Sequence, residues 1–231
     1  MRLRPRPLLL LPLLLGCGNL GEGDDGVVAL EVLLPNPAVV EPGDTVQLRA
    51  RALNANGDSV AASIVWLSPD NTISVDSSGR LSTDATTGTG RVQAKVGGLR
   101  SNLETFAIRR RSDTLALTDP LAVTVPSTDS ASASLVARVL SITPDTQGIG
   151  GTAIVYQVVD STALRNVVHF AGGTMNLRAT TGGDGAPAVG VTLRRQSGAT
   201  FPVTVQVQVS ATRPSGATVP GSGRTFDVTF E

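Results

Sequence analysis

The 231-residue chain has few of the side chains on which most active sites depend. Its only histidine is His169 and its only cysteine is Cys17, which argues against a His/Cys metal cluster, a Cys-His dyad and a disulfide framework. Lys plus Arg (19) equals Asp plus Glu (19), so the formal net charge at pH 7 is zero. We therefore expect no metal, no cofactor and no nucleic-acid partner, because nucleic-acid binding needs a basic surface.

Aromatic residues are equally scarce, with five Phe, one Trp and one Tyr in the chain. Most of them are needed for a core, so few remain to stack on sugar rings or to anchor an interface. We expect Tyr156 to be a strand residue with its hydroxyl at the surface. His169 follows two valines without an acidic partner nearby, so no catalytic role is assigned to it. These observations predict that the protein is not an enzyme and has no catalytic residue.

The N-terminus has the pattern of an export signal. Arginines at positions 2, 4 and 6 precede an apolar run over residues 8–15. This run is much shorter than the ~20 residues that a membrane-spanning helix needs. We predict a signal peptide over residues 1–16.

The signal ends in Leu14-Leu15-Gly16-Cys17, which resembles the lipobox of bacterial lipoproteins. The resemblance implies cleavage before Cys17 and lipidation of that residue, and several acyl chains together would anchor the chain firmly. An ordinary secretory signal followed by an incidental cysteine is the alternative. Residues 17–26 are rich in Gly, Asp and Glu without apolar periodicity and predict a flexible tether. Gly18 stands where the lipoprotein family carries an Asp for inner-membrane retention, which favours the outer membrane.

The remaining chain alternates between apolar and polar residues with period two. Clear examples are residues 46–52, 203–209 and 226–230, a pattern typical of strands with one buried face. Turn signals such as Pro42-Gly43, Asn56-Gly57 and the tight turn predicted at residues 76–79 separate these runs, and no segment has a sustained helical stripe. The fold class predicted is all-β, with tandem antiparallel β-sandwiches following the lipoprotein signal peptide.

A short polar run at residues 109–112 is predicted to be a linker between two modules, residues 27–108 and 113–231. The first contains PGDTVQL at 42–48, VWLSPD at 65–70 and ISVDSSG at 73–79. Together these segments resemble bacterial Ig-like domains of group 2 (BIG2). The resemblance implies an Ig-like sandwich with Trp66 inside its core.

The second module contains TTGGDG at 180–185 and AVGVTL at 188–193. These segments are similar to the turn and strand of invasin-like Ig domains of group 1. Asp145 and Asp184 lie in turns where their side chains are expected to bond to the backbone. A calcium ion in one of these loops is left open.

These features predict a bacterial cell-envelope lipoprotein, anchored in the membrane through acyl chains on Cys17. The resemblance implies a non-enzymatic adhesion, binding or spacer module that is exposed at the cell surface. The alternative is a periplasm-facing structural or assembly component of the envelope. A monomer is expected, and the partner would be a protein or surface polymer that the sequence does not identify.

Overall fold

The computed structural model describes residues 26–231. The predicted signal peptide, the lipidation site Cys17 and nearly all of the predicted tether lie outside this range. Residues 26–231 form almost entirely strands and turns, which confirms the predicted all-β fold. Within this range no helix has the length and apolar character needed to cross a membrane.

Residues 29–108 form eleven short strands. These are β1 (Ala29–Leu33), β2 (Val39–Val40), β3 (Thr45–Gln47), β4 (Arg49–Leu53), β5 (Ser59–Val60), β6 (Val65–Leu67), β7 (Ser74–Val75), β8 (Arg80–Ser82), β9 (Gly88–Val96), β10 (Leu99–Arg100) and β11 (Glu104–Ile108). One sheet has the order β10-β9-β11-β2 with β6 also on β9, a second has the order β3-β8-β7, and a third has the order β1-β4-β5. Buried side chains of β2, β9 and β11 pack against those of β3 and β8, so the core lies between two sheets.

The alternating run at residues 46–52 is two strands rather than one. Val46 lies on β3 and pairs with β8, whereas Ala52 lies on β4 and pairs with β1. Between them the backbone N–H of Leu48 donates to the carbonyl of Gly79 at 2.8 Å. All three apolar side chains are buried, so the period-two pattern continues through a point where the chain leaves one sheet for another.

The predicted tight turn at residues 76–79 is confirmed, and it lies beside Trp66. One carboxylate oxygen of Asp76 accepts hydrogen bonds from the backbone N–H of Ser78 and of Arg80, each 2.9 Å long. The Ser78 hydroxyl also donates to this oxygen. Its hydrogen bond has the largest effect, and together these bonds lower the pKa of Asp76. Gly79 has a φ of +81°, and a Cβ there would lie 2.6 Å from the Trp66 indole nitrogen. Trp66 therefore packs at the margin of the core, half-buried rather than fully inside.

Residues 114–230 form ten strands, one short helix and a 3-10 turn at Ala171–Gly173. The elements are β12 (Thr114–Leu117), β13 (Ala122–Val125), β14 (Ala137–Ser141), β15 (Gln147–Gly148), β16 (Ala153–Val158), α1 (Ser161–Leu164), β17 (Val168–His169), β18 (Asn176–Thr180), β19 (Arg194–Arg195), β20 (Val203–Ala211) and β21 (Arg224–Phe230). The main sheet has the order β13-β21-β20-β16-β18. It faces the smaller sheet β12-β14-β15 across one continuous apolar core.

The strands predicted from the two C-terminal alternating runs are confirmed. Val205, Val207 and Val209 on β20 are fully buried, and Phe226 and Phe230 on β21 are almost fully buried. The two strands pair antiparallel over seven residue pairs. Most strand pairs are antiparallel, but β2 pairs parallel with β11, and β13 pairs parallel with β21. β2 therefore lies at the edge of its sheet beside β11, the last strand of the first half. In the same way, β13 lies at the edge of the main sheet beside β21, the last strand of the second half.

The expectation that the Tyr156 hydroxyl lies at the surface is wrong. Tyr156 on β16 has no exposed area, and its hydroxyl accepts a hydrogen bond of 3.2 Å from the backbone N–H of Ala137 on β14. The side chain thus spans the core and ties the two facing sheets together. Burial raises the pKa of Tyr156 to about 12.

This raised pKa predicts how stability depends on pH. The unfolded phenol loses its proton near pH 10, whereas the folded phenol keeps it up to about 12. The stabilisation is complete below pH 10 and falls as the pH rises toward 12. Tyr156→Phe should lack this dependence and should cost about 1–3 kcal/mol at neutral pH, because Ala137 loses its acceptor.

The measurement is the absorbance of the single tyrosine at high pH, together with urea unfolding at pH 8 and pH 11. Lys95 is the only lysine, so few other groups titrate in this range. A phenol that ionises near pH 10 in the folded protein would contradict the buried position of Tyr156.

Candidate functional site

The candidate site is a buried polar cluster where the two halves of the chain meet. We call it the junction and define it as Glu41, Asp44, Arg109, Ser112 and Arg213. Glu41 and Asp44 begin and end the Pro42-Gly43 turn predicted from the sequence, in which the N–H of Asp44 donates to the carbonyl of Glu41 at 3.1 Å. Gly43 adopts a φ of +74°, as the third position of a type II turn requires. The turn therefore places two carboxylates side by side.

Glu41 is the centre of the junction. It has no exposed area, although it is charged. Its Oε1 accepts hydrogen bonds from the Arg109 Nε at 2.9 Å and from the Ser112 hydroxyl at 2.8 Å. Its Oε2 accepts one from the Ser112 backbone N–H at 2.9 Å. A carboxylate can be buried at an acceptable cost only when it is paired and hydrogen-bonded in this way.

Arg213 brings the second half of the chain to the same carboxylate. It lies in the turn that connects β20 to β21, and its side chain is only 8% exposed. Its Nε donates to the carbonyl of Ser112 at 2.9 Å and lies 3.8 Å from Glu41 Oε2. Its Nη1 donates to Asp44 Oδ1 at 3.3 Å, and the neighbouring Ser215 hydroxyl donates to the other Asp44 oxygen at 2.6 Å.

The segment 109–112, predicted to be a polar linker, is bonded on both sides. Arg109 also donates to the carbonyl of Gly150 at 3.3 Å, and Arg110 forms an ion pair with Asp145. Within residues 26–231 no strand pair crosses this segment, yet its side chains contact both halves. The segment thus contacts both halves, and both carboxylate oxygens of Glu41 accept hydrogen bonds.

Four clefts among residues 26–231 contain no pair of acidic residues. They lie beside residues 42–43, beside residues 188–191, at Asp70 and beside the junction. The first contains a single carboxylate, that of Asp113, and the third contains only Asp70; the other two contain none. Acid–base hydrolysis of the glycosidase type needs two carboxylates facing one substrate, and none of these four clefts provides them.

The other residues considered from the sequence have structural surroundings. The Nδ1 of His169 lies 2.7 Å from the carbonyl of Phe170, and its strand pairs with Arg194. Asp184 accepts a 3.1 Å hydrogen bond from the backbone N–H of Ala186 and forms an ion pair with Arg138; these lower its pKa. Across residues 26–231 no three His, Cys, Asp or Glu side chains are grouped as metal ligands. Cys17, the predicted lipidation site, lies outside the described residues.

Sequence reasoning did not find Glu41. Its partners are 68 and 71 residues away along the chain, so no local spacing connects them. Two features of the sequence point toward this cluster. Glu41 is an acidic residue directly after the apolar pair Val39-Val40, and three consecutive arginines occupy residues 109–111, where the sequence pattern predicts only a linker.

The fold and the junction define a chain of two β-sandwich halves joined by a buried ion-pair network. No protein-family model and no curated protein matches the sequence. Among solved structures, the adhesin InvE of Yersinia pseudotuberculosis is 17% identical with a TM-score of 0.38, covering 91% of this chain and 61% of that chain. This chain therefore spans less than two thirds of the InvE chain.

Two further structures have similar scores. The fibronectin(III)-like modules of Clostridium thermocellum CbhA are 14% identical with a TM-score of 0.39, covering 87% of this chain and 93% of that chain. The D00-D0 domain of intimin is 14% identical with a TM-score of 0.31, covering 87% of this chain and 99% of that chain. At this level of similarity, the description of the fold rests on the strand pairing of the chain itself.

Proposed function

We propose that the protein is a lipid-anchored, non-enzymatic module of the bacterial cell envelope that acts as a rigid spacer. Cys17 carries the acyl anchor, residues 17–26 form the tether, and the second module is presented at a fixed position relative to the first. The division into modules 27–108 and 113–231 follows the sequence pattern. Their assignment to BIG2 and to invasin-like Ig domains rests on the resemblance of their segments.

One observation carries the spacer proposal: the buried carboxylate of Glu41 is shared by both halves of the chain. A flexible linker would leave residues 109–112 in water, whereas Ser112 is fully buried and bonded to Glu41. Moving the halves apart would expose Glu41 and Arg213 and break the hydrogen bonds of Arg213 and Ser215 to Asp44. The junction therefore favours one arrangement over a range of hinged ones.

The proposed membrane is the outer membrane, because Gly18 stands where an Asp is associated with inner-membrane retention, and the proposed face is the cell surface. The anchor depends on the lipobox-like segment before Cys17. A partner would be a protein or surface polymer bound away from the junction, and the chain would act as a monomer.

Protease treatment of intact cells tests where the second module faces. The tether residues 17–26 contain no Lys or Arg, so proteinase K is the suitable enzyme rather than trypsin. Folded sandwiches resist digestion, so an antibody against residues 113–231 should detect release into the medium as well as loss from the cells. A periplasmic protein serves as the integrity control, and permeabilised cells show that the tether can be cut.

Release from intact cells with the periplasmic control unharmed is the expected result. Retention on intact cells, with release only after permeabilisation, would overturn the surface location. That result would leave a periplasm-facing structural component as the function.

A further inference from the structure

A cleft of about 190 Å³ lies beside the junction and is lined from both halves of the chain. Asn36 and Arg109 come from the first half, and Thr152, Arg178 and Arg213 come from the second. The volume exceeds that of several waters, each of which occupies roughly 30 Å³ in the liquid. The cleft is therefore large enough for a small polar group.

Three arginines line this cleft, and none of its lining residues is a carboxylate. Arg109 and Arg213 form ion pairs with Glu41 and Asp44, so the positive charge that stays uncompensated in the described chain is that of Arg178. Arg178 makes no ion pair or side-chain hydrogen bond with residues 26–231. In the same range, Arg213 uses Nε and Nη1 but leaves the two N–H groups of Nη2 without an acceptor.

One residue that lines the cleft, Thr152, has a buried hydroxyl without a partner. Thr152 is 2% exposed, and its Oγ1 has no hydrogen-bond partner among residues 26–231. Its backbone N–H and carbonyl are both satisfied by Thr181, so only the side chain is left over. An unpaired buried hydroxyl costs free energy, and nearly all such groups in folded proteins have a partner.

We propose that this cleft binds a phosphate-type oxyanion. Guanidinium groups match tetrahedral oxyanions with paired N–H donors, and each such charge-assisted bond is stronger than a neutral one. Arg178 and the Nη2 of Arg213, both from the second half, supply the donors.

The site does not depend on the spacer function. Arg178 takes no part in the junction bonds, so a variant at this position tests the anion site alone. Loss of anion binding would leave the spacer proposal standing, and a flexible junction would not by itself remove Arg178.

The experiment is calorimetric titration of inorganic phosphate into the full chain, purified in a maltoside detergent and phosphate-free buffer. Ionic strength is held constant with chloride, which also provides the blank titration. We expect saturable binding with one phosphate per chain. Arg178→Gln should weaken it by about tenfold or more.

Arg165→Gln is the matched control. Arg165 is an exposed arginine near α1, beyond the opposite end of β16 from Thr152, and it makes no ion pair within the described residues. The Arg165→Gln variant should bind phosphate with the same affinity as the unaltered chain. Absence of saturable binding, equal affinity in Arg178→Gln, or an equal loss in Arg165→Gln would each overturn the proposal.

A second titration with glycerophosphoglycerol distinguishes the source of the phosphate. Binding of this diester at similar strength would identify the phosphodiester of a lipid headgroup or surface polymer as the natural ligand. Binding of inorganic phosphate alone would identify the free ion. Both results support the site.

Discussion

Glu41→Gln is expected to lower the free energy of unfolding by about 3–5 kcal/mol. The substitution keeps the shape of the side chain but removes its charge. Arg109, whose side chain is 18% exposed, then loses the carboxylate with which it pairs, and Arg213, 8% exposed, loses one of its two carboxylate neighbours and keeps Asp44. Arg109 and Ser112 both donate hydrogen bonds to the Glu41 carboxylate. The amide NH2 of glutamine would therefore face a donor instead of an acceptor.

Urea unfolding of the two proteins at pH 7, each in a Cys17→Ser background, measures this change. Glu31→Gln is the control, since Glu31 forms an ion pair with Arg51 on the surface, where both side chains are nearly half exposed. Surface pairs contribute at most about 1 kcal/mol. Losses of similar size at the two positions would show that Glu41 is not a buried, shared carboxylate.

Cys17→Ser is expected to release the protein from the membrane completely. The proposed anchor is attached through the sulfur of Cys17, and serine cannot form the thioether. No other cysteine is present to replace it. A single acyl chain holds a protein only weakly, whereas several together anchor it stably, so the change should be from all bound to none bound.

Membrane fractionation together with incorporation of labelled fatty acid measures the effect. Gly16→Ala is the matched control, because it keeps a small residue before the cysteine and should remain anchored and labelled. Persistent membrane attachment of Cys17→Ser would contradict lipidation. If the protein with Cys17 intact is soluble and carries no labelled fatty acid, the result would instead support an ordinary secretory signal.

Much of the fold could be predicted because strand alternation is a local signal. The runs at 203–209 and 226–230 are regular strands whose apolar side chains fill the core, as predicted. The run at 46–52 has the same pattern, but it crosses from one sheet to another at Leu48. Alternation predicts which side chains of a strand are buried. It does not predict which other strand pairs with that strand.

The polar interior could not be predicted in the same way. The sequence predicts that the Tyr156 hydroxyl lies in water. In the structure it accepts a hydrogen bond from the backbone N–H of Ala137 in the opposite sheet, and this pairing has no local signal in the sequence. Asp44 is bonded to Ser215, 171 residues away in the sequence. Such partners are brought together only by the packing of whole sheets. The turns at 42–43 and 76–79, in contrast, depend on neighbours within four residues and were visible in the sequence.

The spacer proposal is tested most directly by the distance between the two halves. Nitroxide labels at Ala55→Cys and Asn166→Cys, both exposed, can be measured by pulsed electron spin resonance in a Cys17→Ser background. We expect one narrow distance distribution, which broadens when Glu41→Gln is added. A broad distribution with Glu41 intact would show that the halves move independently and would contradict the rigid spacer.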